Sequence, residues 1–175
     1  MHIIEDRKED EVAIMLIQFN FKNFRSFREE VTLDLSATKM TEFSERVVTI
    51  GSEKILPVAA IYGANASGKS NIYSAFEYMS EYVVDSFKYG DEEEKFEEYR
   101  PTPFLFDTTS ADAESSFEVY FTIPGDKNEK TYNYGFCVDQ EGVTEEWLNS
   151  KAKTARKYST VFYRGNSDRS EEHTS

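Results

Sequence analysis

Residues Gly63–Ser70 read Gly-Ala-Asn-Ala-Ser-Gly-Lys-Ser and meet the phosphate-binding loop pattern G-x-x-x-x-G-K-[ST] at every fixed position. Each fixed residue has its own physical task. Gly63 and Gly68 permit backbone angles that a Cβ would block, so the chain can curl around a phosphate. The amides of Gly63, Ala64, Asn65, Ala66, Ser67 and Gly68 are then expected to point into the curl as an anion nest. In such a loop Lys69 reaches the β- and γ-phosphates, and the Ser70 hydroxyl takes one position on Mg²⁺.

The flanks suit this reading. Upstream, Ile55-Leu56-Pro57-Val58-Ala59-Ala60-Ile61-Tyr62 is a short apolar run that predicts a buried strand. Downstream, Ile72, Phe76, Met79, Val83 and Phe87 recur at steps of three and four. They predict one apolar stripe on a helix running from about Lys69 to Lys88, with Gly90 as its C-terminal stop. The loop would then lie between a strand and a helix N-terminus, where the helix dipole favours phosphate.

Composition narrows the remaining chemistry. The chain has one cysteine, Cys137, so an internal disulfide is excluded, and its only histidines are His2 and His173 at the two extremities. With one Cys and no interior His, neither a zinc site nor a Ser/Cys–His catalytic pair is expected. Cys137 lies in an apolar–polar alternation and reads as a small buried hydrophobe. The net charge is −13, and residues 91–98 alone carry six acids against one lysine. That run reads as a solvated acidic loop, and any nucleic-acid contact is expected on another face. No apolar stretch is long enough to span a bilayer and the first residues are not a secretory signal, so a cytoplasmic location is expected.

Three segments are expected. Met15 opens the first patterned stretch, so residues 1–14 read as a non-native extension from an over-extended reading frame. Residues 15–168 form the body. The tail 169–175 resembles the translation of a sequencing-library adapter and reads as an artefact. Within the body, Ile17, Phe19 and Phe21 alternate with polar residues, and Val31–Leu35 alternates again after a turn at Asn23–Arg28, predicting a hairpin. Residues 45–50 predict a short strand. After Pro101 and Pro103, residues 116–123 and 130–139 alternate on either side of Pro124-Gly125-Asp126, and two further strands are expected near 143–148 and 161–164. The fold class expected is α/β, with a mixed sheet that carries an antiparallel meander.

Three separated pieces resemble one family: Phe19-Asn20-Phe21-Lys22-Asn23-Phe24-Arg25-Ser26-Phe27, the loop with Asn65 and Asn71, and the meander ending Glu146-Trp147-Leu148. Together they are similar to the start of bacterial AAA-like ATP-binding proteins related to the SMC, RecF and OLD proteins of the ABC ATPase class. The resemblance implies the N-terminal lobe of a P-loop NTPase, cut short of its full length. It implies ATP and Mg²⁺ as cofactors, a nucleotide site running from Gly63 to Asn71, and Lys69 as the catalytic lysine. It also implies that Arg25 lies near the phosphates; an exposed turn arginine is the alternative. Two heads sandwiching ATP, a companion nuclease or toxin, DNA, and roles in phage defence or DNA repair are implied at the level of analogy.

An ABC-type head also needs a second acidic motif with a glutamate that polarises water, and a signature segment. Neither is visible here. Phe104-Leu105-Phe106-Asp107 and Phe136-Cys137-Val138-Asp139 have the apolar-then-acidic shape, but both read as strand ends entering turns, and Gln140 reads as a turn residue. The leading expectation is ATP binding, with hydrolysis in the complete protein. The alternatives are a nucleotide-binding fragment without turnover and a GTPase, which would need an Asn-Lys-x-Asp motif that is absent.

Overall fold

The structure, a computed structural model, describes residues 14–37, 42, 44–85, 100–126 and 128–165. Phe87, Gly90, the acidic run 91–98, residues 1–13 of the expected extension and the expected tail lie outside the described residues. The strands are β1 Met15–Lys22, β2 Val31–Asp34, β3 Val48–Ile50, β4 Glu53–Ile55, β5 Ser115–Thr122, β6 Thr131–Val138, β7 Val143–Lys151 and β8 Ser159–Gly165. The helices are α1 Lys69–Asp85 and the short α2 Thr108–Ala111.

Six strands build one sheet in the order β2-β1-β5-β6-β7-β8, every neighbouring pair antiparallel. The opening hairpin and the meander are thus one sheet, because β1 lies between β2 and β5. Register places Phe21 opposite Phe117 and Phe117 opposite Phe136. This row of rings crosses the three central strands. It continues to Glu146 on β7 and Arg164 on β8, which close it with an ion pair at 2.8 Å. The Tyr134 hydroxyl donates to the other carboxylate oxygen of Glu146, also at 2.8 Å. Burial, reinforced by that carboxylate, pushes the Tyr134 hydroxyl well above its usual range.

Helix α1 lies across the ring row and seals the core. Ala75 and Met79 are buried, with Ile72, Tyr78 and Tyr82 packed beside them. Tyr82 stacks on Phe136 at 4.9 Å and Tyr78 lies 5.0 Å from Phe117. The expected stripe is therefore rotated: Phe76 touches Phe19 edge-on but is exposed, as is Val83. The physical reason is shape. Tyr78 and Tyr82 offer flat rings to the phenylalanine row, which a valine at 83 cannot match.

Two further expectations need correcting. The run Ile55–Tyr62 is not a buried strand. Strand β4 ends at Ile55, and the Leu56 amide donates to Leu35 O at 2.8 Å. Beyond that Pro57 has no N–H to give, and Val58 and Tyr62 are 77% and 90% exposed. A buried strand needs partners along its edge, and no described strand runs beside residues 57–62. For the same reason the described strands contain no parallel pair, so the expected mixed sheet is antiparallel. Residues 45–50 also split: Ser44–Arg46 is a 3₁₀ turn and the strand begins at Val48.

The turns follow their chemistry. Asp126 N donates to Ile123 O at 3.1 Å, closing a turn with Pro124 at its second position and Gly125 at its third, with φ +84°. Among the described residues, no helix is long and apolar enough to cross a membrane.

Candidate functional site

The curl 63–70 runs directly into the first turn of α1, where the Asn71 amide donates back to Gly68 O at 2.8 Å. The backbone turns left-handed at Ala66 (φ +63°) and Gly68 (φ +88°). A Cβ on Gly68 would sit 2.9 Å from both Phe27 Cζ and Ser26 Oγ, and one on Gly63 would sit 2.7 Å from Ser67 Oγ. Gly68 is needed for both its φ and the close approach of Phe27, whereas a Cβ on Gly63 would closely meet only the Ser67 hydroxyl, which can rotate away. The Ser67 amide donates weakly across the curl to Ala64 O at 3.3 Å, so that member of the expected nest has an internal partner.

Lys69 staples the curl. Its Nζ donates to Gly63 O at 2.8 Å, to Ala64 O at 2.6 Å and, at a longer 3.4 Å, to Ser67 Oγ. The ammonium is thereby fixed at the rim of a cup of about 220 Å³ lined by residues 66–71 and Ser26. Gly63, Ala64 and Asn65 form the exposed upstream rim. Ser70 occupies the second helical position, also exposed.

The β1–β2 turn supplies the rear wall, and it is held from several sides. Asn23 is buried with φ +52°. Its Nδ2 donates to the Ser110 and Ala113 carbonyls at 2.8 and 2.9 Å, and its Oδ1 accepts from Phe104 N. Arg25 N donates to Thr102 O at 2.8 Å. Phe27 leans on Gly68, and Ser26 Oγ accepts from Asn71 Nδ2 at 2.8 Å. Arg25 is outside the cup's lining. Its guanidinium lies over the Phe24 ring and donates to Ser74 Oγ at 2.8 Å, on the helix turn after the cup. Ser26 and Phe27, which sequence reasoning quoted but assigned no role, are the turn residues that meet the loop. The only available signal was their place in a turn that the hairpin brings back toward the chain.

The two apolar-then-acidic stretches are spent on local structure. Asp107 caps α2: its Oδ1 accepts the Ser110 amide at 2.6 Å, its Oδ2 accepts the Ser110 hydroxyl, and Arg28 lies 3.6 Å away. The Ser110 amide is the main reason its carboxyl is held below the usual carboxylate range. Asp139 Oδ1 accepts the Glu141 and Gly142 amides at 2.7 and 3.0 Å. Gln140 sits in that turn, as expected, with its Nε2 3.4 Å from Pro101 O. Cys137 is buried, and burial, with Glu114 and Glu145 nearby, pushes its thiol up to about 12.

The profile of a family described as "AAA domain, putative AbiEii toxin, Type IV TA system" matches residues 58–172, which take in the curl, α1 and strands β5–β8. No curated protein matches the chain. With a phosphate-loop sequence curled at a helix start and a matched span of well over half its length, the chain belongs to this AAA family of P-loop ATPase-class domains.

Proposed function

We propose that the cup binds the polyphosphate of ATP with Mg²⁺, and that the chain is the nucleotide-binding lobe of an ABC-class ATPase related to SMC and RecF proteins. The observation that carries this is the seating of Lys69 at the rim of a curl whose left-handed turn at Gly68 leaves no room for a Cβ. An ammonium has three donors. Two go to loop carbonyls at short distance. The third, spent on Ser67 Oγ at 3.4 Å, is the one a phosphate oxygen takes over. Residues 66–71 and Ser26 fit a compact anion: the lining residues include a lysine and three serines at a helix start. Ser70 would hold Mg²⁺, which when bound neutralises charge on the β- and γ-phosphates. Arg25, one helical turn on, would act at the outer edge of the same nucleotide.

The described residues support nucleotide binding without turnover. Hydrolysis needs a carboxylate free to orient water, and both candidate strand-end acids, Asp107 and Asp139, are held as a helix cap and a turn acceptor. In the complete protein, hydrolysis would release a pair of engaged heads in the cytoplasm. A companion toxin or nuclease and a role in phage defence fit the toxin–antitoxin wording of the family, and DNA would meet a face other than the acidic run.

The test separates the two activities on this chain. Calorimetry should show binding of Mg·ATP that Lys69→Ala abolishes with the melting temperature kept, and phosphate release should stay at the buffer rate. Equal affinity in wild type and Lys69→Ala would refute the site. Lys69-dependent turnover would refute binding without hydrolysis.

A further inference from the structure

We propose that Ser26, from the β1–β2 turn, is a phosphate-binding residue of the cup, donating its hydroxyl hydrogen to a β- or γ-phosphoryl oxygen. This rests on the reading that the cup holds a nucleoside polyphosphate.

The hydroxyl has one hydrogen and two lone pairs. Ser26 Oγ accepts from Asn71 Nδ2 at 2.8 Å, so its oxygen is pinned by the helix that bears the loop. That bond uses a lone pair and leaves the hydrogen to rotate. No donation from Ser26 to another protein group is found among the described residues, and its side chain lines the cup with residues 66–71. Phosphate oxygens are acceptors only, so a free hydroxyl hydrogen at the cup wall meets a matching group. The Asn71 amide also polarises the hydroxyl it binds, which strengthens the outward donation.

The position is fixed in advance. Ser26 is flanked by Arg25 at φ +51°, a conformation that side chains rarely adopt, and by Phe27 against Gly68. Such strain persists only where the surroundings over-determine it. Here they do: the Arg25 amide is bound to Thr102 O, its guanidinium to Ser74 Oγ, and Asn23 to the segment around Ser110. A donor held this way loses little freedom when a ligand arrives.

The experiment is calorimetric titration of the full chain with Mg·pyrophosphate and with a Mg·ATP analogue bearing an imido bridge between the β- and γ-phosphates. Wild type, Ser26→Ala, Ser26→Thr and Lys69→Ala are compared, each with a thermal melt. We expect Ser26→Ala to weaken both ligands about tenfold, the scale of one hydrogen bond to a charged acceptor. Its melting temperature should stay the same, and Ser26→Thr, which keeps a hydroxyl, should bind within about twofold of wild type on the same scale. Unchanged affinity in Ser26→Ala beside lost affinity in Lys69→Ala would overturn the role of Ser26 and leave the nucleotide site standing. A loss in Ser26→Ala that comes with a lower melting temperature and is not restored by threonine would overturn it too, marking the residue as a structural prop. Equal affinity in wild type and Lys69→Ala would instead sink the site itself.

Discussion

Gly68→Ala tests whether the turn and the loop are in true contact. Two penalties are separable. The first is backbone: at φ +88° an alanine is strained by about 1–2 kcal/mol. The second is crowding, because the new Cβ would lie 2.9 Å from Phe27 Cζ and from Ser26 Oγ, and overpacking of this kind costs about 1–3 kcal/mol. Gly125 provides the control inside the same molecule. Its φ is +84°, and a Cβ there meets nothing within 4 Å, so Gly125→Ala carries the backbone penalty alone. For a chain of this length each kcal/mol moves the melting temperature by about 2–4 °C. Gly125→Ala should then melt about 2–8 °C below wild type and bind nucleotide normally. Gly68→Ala should melt lower still, by roughly twice that shift, or relieve the crowding by pushing the turn away. In the second case the stability loss shrinks but the cup loses its wall, so affinity for the imido analogue of ATP must fall. Melts and calorimetry on both variants decide it. If Gly68→Ala matches Gly125→Ala in melting and wild type in affinity, the turn does not abut the loop and the reasoning fails.

Two further outcomes follow from burial. Phe117 is fully buried between Phe24, Tyr78 and Phe136, so Phe117→Ala should cost about 3–5 kcal/mol in urea denaturation, while Phe106→Ala, at 87% exposure, should change it by under about 0.5 kcal/mol. The Cys137 thiol, pushed up to about 12, should resist a disulfide reagent at pH 8 until denaturant is added. Its folded value lies above that of the unfolded chain, near 8.5, so wild type should lose stability relative to Cys137→Ala as pH rises above that point. Cys137→Ser should leave nucleotide affinity unaltered, and rapid labelling of the folded thiol would contradict its placement.

What the sequence disclosed were arrangements that neighbouring residues settle among themselves. The alternation in β1, β5 and β6 faces one core, the Pro124-Gly125 pair turns as its chemistry requires, and Gly68 of the loop sits where a Cβ cannot. What it concealed depends on remote partners. Nothing near Tyr78 and Tyr82 says that a row of phenylalanines from three strands will lie beneath them, so a stripe drawn through Val83 was rotated off the true face. Nothing near Ser26 says that Asn71, forty-five positions on, will reach back to it. The apolar run 55–62 has a strand's composition, yet composition gives no edge to pair with.

The cup is consequently supported unevenly, and this sets its affinity. Its downstream wall is α1, packed on the ring row, and its rear wall is a turn tied to α1, to Thr102 and to the segment around Ser110. Its upstream rim continues into residues 57–62, which extend through solvent with no ladder to hold them. Lys69 is what ties that rim down, through the carbonyls of Gly63 and Ala64. A phosphate oxygen that takes over the third donor leaves those two ties standing, but they do not reach the stretch upstream of Gly63. Any ordering of residues 57–62 on binding must then come from the ligand, at about 1–2 kcal/mol of backbone entropy for each residue ordered. Binding to this chain should therefore be weaker than the donor set alone implies. A partner strand laid along residues 57–62 would restore the difference by bearing that ordering cost before the nucleotide arrives.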